Sequence, residues 1–470
     1  MQSKRKPLRS ERVMNQRLTA VDGVQNLSEI TGWSLHCSVQ APIKQVNIPS
    51  GLSRLMVLGE GIPRGGGQSF GDVSLPDQGS AFVLKSMPTL ANFVLNEKTG
   101  VLVCPASGTQ KQVLDRITPA GWILPVVPGA SGITIGGAVA ADAHGKNHYT
   151  QGSIVDHLVS LKLALPSGDI ILANRDDNSD IFWATIGGVG LTGLILEATL
   201  QLRRLRSLKV AQAVTRFESI PEMLTIIESQ KDVAEFLLGT VDGNFGPKRR
   251  WRGVITSASV CRRELTDNLG RMPSRKRIGV PSFVRHVPLG ALSTWALNNA
   301  IQLRTRLCSS REIDLDRFLF PQDALAHWNR LFGKSGFIDY QCCVPLENSL
   351  PYLTSLHSLL NQFSTKCFLI AIKRFRKSSN QNPLVFAQNG ISIALDMPRR
   401  HNISDQLDIL DELAIQFGGR VNLVKDARLS RKSFSHMYPE KEKWLSVKRR
   451  IDPDGRFRSR LSNRLGLDSR

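Results

Sequence analysis

No apolar run in the chain approaches the roughly 20 residues that a membrane-spanning helix needs. A helical membrane-spanning class is therefore not expected. The opening stretch MQSKRKPLRSERVMNQR is basic, but the apolar core of a Sec-type leader does not follow it. We expect a disordered basic arm over 1–19. Cysteine is scarce and irregular: Cys37, Cys104, Cys261, Cys308, Cys342, Cys343 and Cys367 are odd in number and contain no CxxC pair. Neither a zinc cluster nor a disulfide framework is indicated, no metal site is expected, and a reducing compartment fits best. Internal repeats and low-complexity tracts are missing, which excludes solenoid and array architectures. Acid is also in short supply, with 40 Asp and Glu against 61 Lys and Arg and a net charge of +21. A field of that sign favours anionic partners such as phosphorylated substrates, anionic lipid or nucleic acid; a generally basic surface accounts for it equally well.

The 470 residues suffice for two or three domains, and 41% hydrophobic with 21% charged residues reads as globular. From about 40 to 205, short β-type runs (LMVLGEG, GVLVCPASG, HLVSLKLALPSGDIILA, LTGLILEATLQLRRL) alternate with helical candidates (KQVLDRITPAG, DIFWATIGG). The PSGD at 166–169 is a hairpin signal. From about 206 to 419, longer helical candidates appear: IPEMLTIIESQKDVAEFL, PQDALAHWNRLF and LPYLTSLHSLLNQF. Between them lie the strand candidates FIDYQCCVP, FLIAIKRF and GISIALDMP, which indicates a second α+β domain with an antiparallel sheet. Segment 246–290 reads as basic and irregular. From 420 we expect a strand, RVNLVKD, and then one helix, RKSFSHMYPEKEKWLSVKRRI. Residues 441–470 hold ten Lys and Arg against four Asp and Glu with apolar residues among them, as in a docked amphipathic tail.

Three glycine-rich stretches carry the chemistry. GVGLTG at 188–193 matches G-x-G-x-x-G literally, yet a helix-like segment precedes it, a β-like one follows, and no acid lies about 20 residues on. The dinucleotide-binding strand–turn–helix is thereby rejected. RGGGQSFGD at 64–72 lacks the G-K-[ST] of a phosphate-binding P-loop. PGASGITIGGAVAADAHGKNHYTQGS at 128–153 follows Gly136-Gly137 with small residues, so something bulky packs where side chains are absent. Tight strand packing is the plain alternative for any one stretch, but three in one domain point to backbone amides closing on an anion such as a pyrophosphate.

In this order, RGGGQSFGD, PGASGITIGGAVAADAHGKNH and FWATIGGVGLTG resemble the FAD-binding domain of the vanillyl-alcohol-oxidase/p-cresol-methylhydroxylase (PCMH) type. Within it, HGKNH and the C-terminal LVKDARLSRKSFSHMYPEKEKWLSVKRRIDPDGRFRSRLSNRLGL resemble the oxidase subunits of decaprenylphosphoryl-β-D-ribose 2′-epimerases. The resemblance runs from about 31 to 467 and is weak between 206 and 330. It implies an α+β, two-domain PCMH-type fold: an FAD domain over 20–205, an inserted antiparallel-sheet substrate domain over 206–419, and a segment, 420–470, that returns to the FAD domain. Arg64, Gly65, Gly66, Gly67, Gln68, Ser69, Phe70, Gly71 and Asp72 would wrap the pyrophosphate. Gly129, Thr134, Ile135, Gly136, Gly137, Ala141, Asp142, Ala143 and His144 would line FAD, with Ile195 on the adenine side and Asn422 at a position often tyrosine. Relatives that bond FAD through this loop have histidine where Gln68 stands, so FAD is expected to be non-covalent.

By the same resemblance, Lys425 is the essential lysine and His144 lies beside flavin and substrate; both are the catalytic candidates. A lysine paired with Asp426 at the surface, and a merely structural histidine, are the plain alternatives. Gln341, Lys373, Phe70 and Ser392 are the substrate-side candidates, with Lys373 a phosphate contact. Phe70 stands where the family has tyrosine, Ser392 and Ala394 where it has asparagine and cysteine, and Leu319 where it has an aromatic. These departures bear on which sugar is accepted, and they favour the alternative of another sugar or polyol oxidase of the same superfamily. The implied reaction is oxidation of a polyprenylphosphoryl-ribose 2′-hydroxyl, with a short-chain reductase as partner, no nucleic acid, and peripheral attachment to membrane through 246–290. The expected location is the cytoplasm or the face of the inner membrane; the resemblance leaves the periplasm open.

Overall fold

A computed structural model describes residues 27–46, 59–84, 89–262, 269–273, 277–286, 310–399 and 403–468. The expected N-terminal arm, Cys308 and much of the 246–290 segment lie outside them. Among the described residues no helix is long and apolar enough to cross a membrane.

The N-terminal part holds two small sheets. β1 (Leu27–Thr31), β2 (Ser38–Val46), β3 (Gly61–Pro63) and β4 (Ser80–Leu84) form one, in the order β1-β2-β4-β3, with parallel pairing around β4. β5 (Val94–Asn96), β6 (Val101–Pro105), β8 (Leu158–Ala164), β9 (Ile170–Asn174) and β10 (Leu194–Gln201) form an antiparallel sheet ordered β5-β6-β10-β8-β9. A short ladder joins β7 (Trp122–Ile123) to β11 (Arg203–Arg204). The PSGD hairpin is present: Gly168 takes φ +91° and β8 pairs antiparallel with β9. Helix Gln110–Ile117 begins on a Thr109 capping box.

The second part is one eight-stranded antiparallel sheet. It comprises β12 (Lys209–Phe217), β13 (Phe236–Val241), β14 (Gly253–Val260), β16 (Ser310–Asp314), β18 (Phe337–Pro345), β19 (Leu369–Phe375), β20 (Gly390–Pro398) and β21 (Arg420–Val421). Their order is β16-β12-β14-β13-β19-β20-β18-β21. A minor parallel ladder pairs β15 (Ile278–Gly279) with β17 (Leu325–Ala326).

Period-2 alternation divides the large sheet into two unlike faces. Tyr340, Cys342 and Val344 share one face with Ile370 and Ile372, and with Ile391, Ile393 and Leu395. Helices Ile220–Gln230, Ser349–Gln362 and Ile403–Gln416 bury that face in the largest apolar core. The other face carries Asp339, Gln341, Lys373, Ser392 and Asp396. Helix-covered sheets do not leave such residues on the covered side, so this polar face marks where a ligand approaches.

Four expectations need correction. The helix expected over 220–237 ends at Gln230, because Phe236–Val241 is drawn into the sheet between β14 and β19. PQDALAHWNRLF forms two short 3₁₀ turns, because His327 adopts left-handed backbone at φ +57°. The long C-terminal helix is two, Arg431–Met437 and Lys441–Ile451, separated at Pro439, which has no N–H to donate. Segment 246–290 is not uniformly irregular, since β14 within it is a central strand.

The C-terminal segment joins both parts. β21 pairs with β18. Trp444 Nε1 donates to the Ala184 carbonyl at 2.9 Å, and the fully buried Lys448 donates to the Leu191 and Phe457 carbonyls at 2.8 and 2.9 Å. Lys448 also pairs with Asp452. The tail is docked, as its composition indicates, and its buried lysine anchors the GVGLTG loop.

Candidate active site

The three glycine stretches meet. A Cβ on Gly65 would fall 2.3 Å from Thr134 Oγ1, and one on Gly66 would fall 2.5 Å from the Gly132 carbonyl. A Cβ on Gly71 would reach 1.8 Å from the Asp426 carbonyl. RGGGQSFGD therefore threads between the 128–137 turn and the turn that carries Lys425. Only glycine permits backbone this close on both sides. GVGLTG closes from behind: the Gly187 and Val189 amides donate to the Val139 and Ala140 carbonyls, ending helix Ile135–Ala140. Val189 does so at φ +51°, which is rare for a β-branched residue.

The N–H groups of residues 65 to 70 donate to no protein acceptor among the described residues. Nearly all amides in a folded protein find a partner, so six in a row within a glycine turn fit a polyanion held by backbone. Side chains at the ends of the loop serve the fold instead. Arg64 donates to Thr31 O and Ser74 Oγ, each at 2.8 Å. Asp72 is buried against Arg464 at 3.0 Å, and burial raises its pKa to about 6. The main-chain amides of Arg64 and Asp72 are likewise taken up within the protein, by the Phe82 and Asp426 carbonyls. Ser69 and Phe70 are tied down through their carbonyls to Trp33 N and Ser34 Oγ. Gln68 is half-buried and donates to Gly66 O at 3.3 Å, and an amide there has no nucleophile for a flavin bond.

Thr134 caps helix Ile135–Ala140, and the Gly136 amide donates to the Ala106 carbonyl. A Cβ on Gly136 would stand 2.9 Å from Ala106 Cβ, and one on Gly137 3.0 Å from Thr134 Oγ1. Ile135, Ala138 and Ala143 line a narrow pocket with Gln110 and Pro128. Gly129 faces open space, Ala141 closes the helix on Gly137 O, and Ile195 is buried in β10 beside a register irregularity. Asp142 is structural: at φ +41° it accepts from Asn380 Nδ2 at 2.9 Å and Val155 N at 3.3 Å. Burial raises its pKa to about 6.

The polar sheet face supplies side chains. Gln341 Nε2 donates to Ser392 Oγ at 2.9 Å and lies 3.3 Å from His144 Nε2, while Gln341 Oε1 accepts from Asn422 Nδ2 at 2.9 Å. Asn422 is thus placed behind Gln341, not along the 64–72 loop. His144 is edge-on to Phe375, centroids 4.7 Å apart. Burial first, and then Lys373, His148 and Lys425, press its basicity well below the usual range, so the ring is neutral. It accepts the Gln341 amide proton and carries its own on Nδ1.

Lys425 lies in a turn, not on a strand. Asn422 ends β21 by accepting Val424 N on its side chain and Lys425 N on its carbonyl. Its ammonium ignores Asp426 and pairs with Asp339 Oδ2 of β18 at 2.5 Å, and it stands 5.1 Å from the Phe70 ring centre. The Arg464 guanidinium clamps Asp426 and Asp72 together and so fixes this turn against the glycine loop. Lys373 of β19 makes no hydrogen bond or ion pair among the described residues. Burial, then Lys425, lowers its basicity to about 7, opposed by Asp339. Asp339 and Asp396 were not foreseen. The alternation D-Y-Q in FIDYQCCVP puts Asp339 on the face of Gln341, but only the register reveals Asp396 opposite it.

A family model for an FAD binding domain matches residues 60–174, the span that holds the first two glycine loops. With the amide cradle above, this identifies a PCMH-type FAD-binding domain, and the protein is an FAD-dependent oxidoreductase. It is similar to the decaprenylphosphoryl-beta-D-ribose oxidase of Mycolicibacterium smegmatis, at 28% identity over 453 residues, 93% of this chain and 97% of that one. An uncharacterized Streptomyces coelicolor protein is 29% identical over 376 residues, 76% of this chain and 100% of its own length. The mitochondrial D-lactate dehydrogenase [cytochrome] of Arabidopsis thaliana matches 38% of this chain and 30% of its own at 28% identity.

Proposed function

We propose that the protein oxidises the 2′-hydroxyl of a polyprenylphosphoryl-β-D-ribose to the 2′-keto sugar. The observation that carries this reading is the convergence of Lys425, Gln341, His144 and Lys373 beside the glycine loop. The similarity across nearly the whole chain supports it. Sheet 206–419 is then the substrate domain, and its polar face holds the sugar.

FAD, when bound, accepts the hydride from the alcohol carbon. The chain positions the alcohol and manages its proton. Residues 65–70 are suited to hold FAD through main-chain amides left for its phosphates, and 134–137, whose amides at 135–137 are bonded within the protein, would line it with small residues. Lys425, fixed by Asp339, meets the reacting hydroxyl. Gln341, whose two amide hydrogens go to Ser392 and His144 and whose Oε1 accepts from Asn422, holds His144 in place beside the site. His144 is neutral and bounds the site on the Phe375 side. Lys373 is the unpaired cation for a phosphate.

On this reading a separate short-chain reductase converts the ketone to the arabinose epimer, and the basic surface meets anionic lipid. Ser392, Ala394 and Phe70 favour a second reading, a different sugar or polyol oxidase of the same superfamily, because a hydroxyl and a methyl make other contacts than an amide and a thiol. Anaerobic incubation of yellow, purified protein with lipid-linked ribose and with soluble sugars separates the two. Bleaching by the lipid-linked sugar is expected; bleaching by soluble polyols alone would sink the first reading.

A further inference from the structure

Asp339 and Asp396 are directly opposite one another on β18 and β20, which places their Cβ atoms about 5 Å apart on one face. Both are buried. Asp339 Oδ2 holds Lys425 at 2.5 Å, while its Oδ1 is buried without a partner. The Asp396 carboxyl makes no hydrogen bond among the described residues. Like charges facing each other across a ladder are destabilising, and two buried carboxylates relieve that by sharing a proton.

We propose that Asp339 and Asp396 act as one proton-holding carboxyl pair behind Lys425, positioning that lysine and receiving the proton that the substrate hydroxyl releases. Asp339, salt-bridged, is the ionised member. Asp396 is the protonated one: burial, then the Asp339 charge, push its pKa well above the carboxylate range, against Lys425. The other titratable groups facing the pair are Lys373 and His144, and His144 is neutral. A lysine already charged cannot accept a proton, so it must pass one on. As the hydroxyl O–H bond breaks, its proton goes to Lys425 while Lys425 gives one to Asp339. Lys425 ends with its original charge, and a carboxyl O–H bond has formed on Asp339. The two electrons of the alcohol C–H bond leave separately, to FAD.

This rests on the alcohol-oxidation reading, and its test separates the two. Full-length holoprotein and the variants Asp339→Asn, Asp339→Glu and Asp396→Asn are compared by flavin absorbance. They are then compared by anaerobic bleaching against pH with an alcohol that bleaches the wild type. The same proteins, without substrate, are melted against pH. Asp339→Asn should keep its flavin, bleach roughly 100-fold more slowly or worse, and lose the acid limb of the rate profile; Asp339→Glu should restore that limb. A purely structural role would instead lower flavin content or melting temperature and leave the profile's shape alone. The folded wild type keeps on Asp396 a proton that the unfolded chain releases near pH 4, so its stability falls as pH rises from there toward neutrality. Asp396→Asn removes that slope, so its melting temperature should gain on the wild type over the same interval. Parallel melting curves, or wild-type bleaching by Asp339→Asn, overturn the pair. If no alcohol bleaches the wild type, the oxidation reading falls, and the melting comparison still decides the pair.

Discussion

The two halves of the site are built from different materials. The cofactor side is main chain: glycines 65, 66 and 71 lie against Thr134, Gly132 and Asp426, and the amides of residues 65–70 have no protein acceptor among the described residues. The sheet side is side chain: Lys373, Gln341, Ser392, Asp339 and Asp396 project from neighbouring strands of one face. Backbone recognition depends on close approach and tolerates no added carbon. Side-chain recognition depends on register and charge, and it can be retuned one residue at a time.

The largest effect should come from the side-chain half. Lys425→Ala should bind flavin normally, because no amide of the cradle moves, yet lose about 1,000-fold in flavin reduction by substrate, roughly 4 kcal/mol of barrier. Absorbance and stopped-flow bleaching measure the two separately, and unchanged turnover would mean the lysine is misassigned.

Gly71→Ala attacks the backbone half. Its methyl group would lie 1.8 Å from a carbonyl oxygen, and neither loop can give way without moving the other. We expect about 3 kcal/mol of destabilisation and loss of flavin, seen as lower melting temperature and colourless protein.

Lys373→Met should be milder and specific to anionic substrates. A charge-assisted contact contributes about 1.5–3 kcal/mol, so KM should rise roughly tenfold or more with little change in kcat. The pH dependence has a definite sign. Below about 7 the free enzyme holds Lys373 as ammonium, and above it as neutral amine. A phosphodiester keeps its single charge throughout, so its affinity should fall as pH rises through and beyond 7. Lys373→Met should be flat over that interval; a wild-type slope that survives in the variant would assign the effect elsewhere. Gln68→Ala should do least. Its side chain makes one long hydrogen bond, to its own loop, so stability should change by no more than about 0.5 kcal/mol, and acid should release the flavin from both proteins.

Much of the backbone half was legible in advance. Glycine runs, the rejected strand–turn–helix order around GVGLTG, and the PSGD hairpin are local signals, and each lies where its chemistry requires. The sheet half was legible only in part. FIDYQCCVP, FLIAIKRF and GISIALDMP announce strands, and Gln341, Lys373 and Ser392 do share a face. Lys425 was assigned to a strand because LV precedes it, but the Asn422 side chain turned the chain there. The plain alternative paired it with Asp426 next door, and its partner lies 86 positions away at Asp339. Helix ends at 230 and 439 were overrun where a neighbouring strand or a proline overrode local periodicity.

Alone, the sequence determined the class of element in most segments, the flavin-type glycine cradle and the basic character of the molecule. These follow from properties each residue carries with it: the conformational freedom of glycine, the 2- and 3.6-residue periods, and formal charge. Tertiary structure decided which charges meet. The Asp339–Asp396–Lys425 contact, the neutrality of His144 and the near-neutral basicity of Lys373 depend on strand register and on burial. Both are set by long-range pairing, because desolvation and Coulomb energy act between groups that are near in space and distant along the chain.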